Sequence, residues 1–81
     1  MSPLEKLQGA FVQSLGVDPQ GDFETLAYGR TQGWDSAAHM ALVAEIEAVF
    51  DIMLSTDDVI GLSSFPQAKE IVAKYGVAVT A

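Results

Sequence analysis

The 81-residue chain is predicted to be a single all-α domain, a small antiparallel four-helix bundle with a short third helix and a long loop between helices one and two. Three observations predict this. Apolar residues recur at spacings of three and four in separate stretches, the signature of a helix with one buried face. Each stretch opens on Ser or Asp, the residues whose side chains satisfy the free N–H groups of a helix start. At 49% hydrophobic residues, a chain of this length can build one core, and no second domain fits.

Ser2-Pro3-Leu4-Glu5 combines a capping hydroxyl, proline at the first helical position and glutamate three residues after the cap, so helix one starts there. Leu4, Leu7, Phe11 and Leu15 form its stripe, and Gly16 ends it. Between Gly16 and Asp35 the connection is long, yet it carries Phe23, Leu26, Tyr28 and Trp34, which should pin it to the core. From Ser36 the residues Leu42, Val43, Ile46, Val49 and Phe50 define helix two, with Ser36 in its first turn. Asp51 to Leu54 is a short bridge, and Ser55-Thr56-Asp57-Asp58 heads a brief helix three ending near Gly61. Ser64-Phe65-Pro66-Gln67 starts helix four, whose stripe is Ala68, Ile71, Val72 and Tyr75 and whose end is marked by Lys74 and Gly76. Val77 to Ala81 reads as a frayed or docked terminus.

The formal charge is −7, and Asp35, Glu45, Glu47, Asp51, Asp57 and Asp58 follow one another with no Lys or Arg between Arg30 and Lys69. A negative middle repels nucleic-acid phosphates and anionic lipid and steers partners with basic patches, though surplus carboxylates also serve solubility alone. Without cysteine there is neither a disulfide framework nor a thiolate ligand. No apolar run approaches the ~20 residues that cross a bilayer, and the start is unlike a secretory signal, so the chain reads as a soluble, cytoplasmic monomer with no membrane insertion.

Gly33-Trp34-Asp35-Ser36 is the most informative stretch, because it sets a hydroxyl at the N-terminal end of an amphipathic helix, where a phosphate ester meets unpaired N–H groups and a positive dipole. A plain helix cap is the alternative reading of Ser36. Catalysis is not expected: Ser36 and the sole histidine, His39, should both point outward with no cleft, and no metal-ligand spacing is present. Trp34 reads as packed into the domain in preference to a ligand contact.

With Asp35-Ser36-Ala37 at the head of helix two, and with the helix order just described spanning nearly the whole chain, the sequence resembles the acyl carrier proteins. That resemblance implies a carrier, not an enzyme, with 4′-phosphopantetheine attached covalently to Ser36 by a phosphopantetheinyl transferase. It also implies acyl-loading and acyl-transferring partners with basic docking patches, recognised through Asp35, Ala37, Met40, Glu45, Glu47 and Asp57, with Asp58 on the same face. The stripe Val43, Ile46, Phe50, Val59, Leu62, Phe65 and Ile71 is read as core first, and in a carrier it also shelters cargo. Ala37 stands where the family usually has leucine, and Ala38, Ala41 and Ala48 lie on faces often acidic in fatty-acid carriers. The expectation is therefore a discrete carrier for a dedicated lipid, polyketide or aminoacyl pathway. A housekeeping fatty-acid carrier is one alternative, and an unmodified helical interaction domain is another.

Overall fold

The computed structural model describes residues 2–79 and is all-helical, with α1 (Pro3–Leu15), a short 3-10 helix (Phe23–Thr25), α2 (Ser36–Phe50), α3 (Thr56–Gly61) and α4 (Phe65–Lys74). Helix α1 opens on the complete capping box: Ser2 Oγ accepts from the Glu5 N–H, and the Glu5 carboxylate accepts from the Ser2 N–H. Glu5 is thereby held below the ordinary carboxylate range, chiefly by the Ser2 backbone bond. It ends at Gly16, left-handed at φ 69°.

The core is built on aromatic edges. Phe11 of α1 meets Trp34 at 5.5 Å and Phe65 of α4 at 5.0 Å, both edge-on, and Phe23 from the long connection reaches Phe65 at 5.1 Å. Around them Leu7, Leu42, Ile46, Leu62, Ala68 and Val72 are buried. The predicted stripe is mostly core, with Phe50 and Val59 only partly buried.

The long connection is organised by contacts at both its ends. Gly33 adopts φ 91°, and a Cβ there would sit 3.0 Å from the Leu15 carbonyl oxygen, so the end of α1 and the approach to α2 touch through backbone that only glycine permits. In the middle, Tyr28 N–H donates to the Ser63 carbonyl at 2.9 Å, and Ala27 forms an isolated antiparallel bridge with Ser64. Phe23 and Trp34 are buried as expected, but Tyr28 is 42% exposed. Its backbone bond to Ser63 anchors that part of the loop, and its partly exposed ring stands edge-on to Trp34 and His39. Val77 and Val79 are half-buried against the core, so the tail docks as far as it is described, while Thr80 and Ala81 lie outside the described residues.

Helix α3 has only 6 residues, too short to hold itself. Asp58 anchors it: buried at 6% exposure, its carboxylate is the acceptor for Lys74 and for the Tyr75 hydroxyl, both at the end of α4, and for the Ser55 hydroxyl. These bonds, Lys74's first and Tyr75's second, pull the Asp58 carboxyl down to about 2, against the opposing effect of burial. Asp58 was expected on an open acidic face; it is a structural carboxylate, because three donors converge on it. Its folded pKa lies below the unfolded value of about 3.9, so its contribution is complete above pH ~4 and is lost as pH falls through ~2. Thermal melts of Asp58→Asn should therefore show a lower Tm than wild type at neutral pH and a shallower fall in Tm between pH 4 and 2. Parallel Tm–pH curves for the two proteins would remove Asp58 as the source of that acid sensitivity.

Candidate functional site

Ser36 is exposed at the first position of the 15-residue helix α2. The capping role falls to its neighbour, since Asp35 has extended backbone and its carboxylate accepts the Ala38 N–H at 2.9 Å. Ser36 is thus not the cap that its position also allowed. Its hydroxyl instead lies 3.1 Å from the phenolic oxygen of Tyr28, eight residues earlier in the chain. The sequence carried no sign of this pairing, because it depends on how the long connection returns across the helix start.

Trp34 is buried at 2% exposure directly before the cap. A buried indole N–H needs an acceptor, and Trp34 Nε1–H donates to Nδ1 of His39 at 3.1 Å. With Nδ1 accepting, the neutral ring carries its proton on Nε2, which donates to the Val59 carbonyl of α3 at 2.8 Å. His39 was expected to point outward beside Ser36; it turns inward, half-buried and stacked on Trp34. Both its nitrogens are occupied by groups other than the serine, so it has no basic atom to offer Ser36. Among the described residues no group of three or more His, Asp or Glu side chains could hold a metal ion.

Two recesses flank the Tyr28 ring. One of about 390 Å³ is lined by Gly29, Thr31, Gly33 and the Trp34–Ser36 segment, and one of about 250 Å³ by His39, Val59, Ile60, Leu62 and Ser63. Ser36 lines the first; the second opens between α2 and α3 and is walled mainly by apolar side chains.

The expected recognition residues separate into different places. Ser36, Met40 and Glu47 fall within ~40° of one another around α2, with Met40 56% exposed. Glu47 is half-buried and engaged, its carboxylate accepting the Leu54 N–H at 2.8 Å and so closing the α2–α3 connection. Glu45 lies ~140° from Met40 around the helix and lines a recess against α1 with Glu5, Gln13 and Val49, away from Ser36. Asp57 is exposed on α3, and Ala37 is exposed beside Ser36.

No family model matches the chain, and no solved structure matches it. Over 72 residues, which cover 89% of this chain and 87% of the relative, it is 29% identical to a protein named acyl carrier protein from Karelsulcia muelleri (strain GWSS). The chain is similar to an acyl carrier protein. The similarity spans helix α2 and most of the fold around it, in keeping with an all-helical domain that holds a serine at a helix start. No helix among the described residues is long and apolar enough to cross a membrane.

The His39 relay should be measurable apart from any function. His39→Leu leaves the Trp34 N–H and the Val59 carbonyl without their partner, which costs about 1–3 kcal/mol. Urea denaturation should register that loss, and amide exchange should quicken first in α3, where the bond to Val59 is lost. Wild-type stability in the variant would mean that the relay contributes nothing.

Proposed function

We propose that this protein is a carrier, not an enzyme, whose Ser36 accepts 4′-phosphopantetheine from coenzyme A. The observation that carries the reading is the Ser36 hydroxyl itself, exposed at the start of α2 and released from capping by Asp35, in a chain similar to an acyl carrier protein over most of its length. The residues present suit the group. The positive end of α2 would favour the new phosphodiester, and the Ser36 and Ala37 N–H groups at that end have no intrahelical partner.

In the modifying reaction, Ser36 Oγ attacks the phosphorus that bears pantetheine in coenzyme A. The Oγ–P bond forms as the bond to the adenosine phosphate breaks, adenosine 3′,5′-bisphosphate leaves, and the hydroxyl proton passes to a base of the transferase. Mg2+ bound by the transferase offsets the charge on the diphosphate. When bound, the arm supplies a terminal thiol that carries acyl groups as thioesters. The chain's own part is to present a fixed nucleophile and a docking face.

The exposed alanines support a dedicated pathway over housekeeping fatty-acid synthesis. Ala41 and Ala48 leave the outer face of α2 uncharged where fatty-acid carriers often present carboxylates, and exposed Ala37 stands in place of the usual leucine. With Glu45 turned toward α1, Glu47 bonded to Leu54 and Asp58 buried, the docking face beside Ser36 reduces to Asp57 with the exposed apolar side chains Met40 and Ile60. Partners therefore need one basic contact and an apolar patch more than a long basic track.

Incubation with coenzyme A, Mg2+ and a broad-specificity phosphopantetheinyl transferase should add one phosphopantetheine to the wild type and none to Ser36→Ala. Because Asp35 is the cap, the substitution should change stability by no more than about 0.5 kcal/mol. Peptide mass spectrometry that found no arm would leave the unmodified interaction domain as the reading, and an arm on another serine would overturn Ser36 as the attachment point. For a cognate enzyme, Asp57→Lys should slow association in a salt-dependent way, whereas Met40→Ala should raise the dissociation rate. Unchanged kinetics for both variants would move the docking face elsewhere.

A further inference from the structure

We propose, on the basis of the carrier reading, that Tyr28 is a positioning residue for Ser36: its phenolic hydroxyl holds the serine hydroxyl in one orientation before the arm is transferred and donates to the phosphodiester afterwards. A serine at an exposed helix start has three staggered settings of its hydroxyl and little to choose among them. Here the Tyr28 hydroxyl, 3.1 Å from Ser36 Oγ, selects one.

Tyr28 is itself well fixed for a surface residue. Its N–H is bonded to the Ser63 carbonyl at 2.9 Å, and its ring stands edge-on to His39 at 5.1 Å and to Trp34 at 6.1 Å. The phenol is therefore held by the α3–α4 link on one side and by buried Trp34 with half-buried His39 on the other.

The chemistry of two hydroxyls suits both stages. Before transfer either oxygen can be the donor; with Tyr28 donating, Ser36 Oγ keeps a second lone pair for attack and its own proton free for the base of the transferase. After transfer Oγ has no proton, and only Tyr28 can donate. An anionic phosphodiester oxygen on the adjacent atom is then the stronger acceptor for it. This fixes the root of the arm between the two recesses that the Tyr28 ring separates.

Tyr28→Phe tests the proposal, because it keeps the ring and its contacts and removes only the hydroxyl. With coenzyme A, Mg2+ and the same transferase, the variant should be modified with a kcat about three- to tenfold lower and an unchanged KM for the carrier, the size expected for one hydrogen bond. In the modified proteins the 31P resonance of the phosphodiester should differ between wild type and variant. Equal kcat together with an unshifted 31P resonance overturns the role of Tyr28 while leaving Ser36 as the attachment point. A raised KM with unchanged kcat also overturns it, by making Tyr28 a docking residue. Absence of any modification of the wild type overturns the carrier reading and the Tyr28 role together.

Discussion

Burial of the Trp34 side chain is the constraint on which the rest of the structure depends. Its ring fills the centre of the domain against Phe11 of α1, and that burial commits the indole N–H to finding a partner away from water. His39 meets the need from the first turns of α2, and by accepting on Nδ1 it must donate from Nε2, which only the Val59 carbonyl of α3 receives. One aromatic side chain thus sets a tautomer, and the tautomer ties a third helix to the second. Ser36 lies in the chain between Trp34 and His39, so its place at the surface follows from the inward turn of the residues on either side.

The same economy governs the carboxylates. A run of acidic residues through the middle of a chain reads as a repulsive surface, but several of these carboxylates accept backbone N–H groups or face donors within the fold. Asp35 caps α2, Glu47 closes the connection to α3, and Asp58 gathers Lys74, Tyr75 and Ser55. Each such use commits a carboxylate to a donor within the fold. The protein remains acidic overall, and Met40 and Ile60 are left as exposed apolar side chains.

Tertiary structure also changes what the long connection is for. It has almost no regular secondary structure, yet its backbone is held at Gly33 against Leu15 and at Ala27 and Tyr28 against Ser63 and Ser64. With those points fixed, a tyrosine ring is delivered to the mouth of α2 and stands between two recesses.

The four helices were determined by the sequence itself, because their signals are local: the Ser2 and Glu5 capping box, Pro at the head of α1 and α4, Gly16 after α1, and stripes such as Leu7–Phe11–Leu15. The position of Ser36 in the first turn of α2 was legible for the same reason. What tertiary structure alone decided are pairings between residues that no periodicity relates. They include the inward turn of His39, the Tyr28–Ser36 contact, the burial of Asp58 under Lys74, and the bond of Glu47 to the Leu54 N–H. A capping hydroxyl or an apolar stripe depends on neighbours within one turn, whereas the partner of a carboxylate or an imidazole is set by which helix the fold brings against it. Local rules therefore name the elements and the candidate serine, and packing decides which polar groups remain free to act.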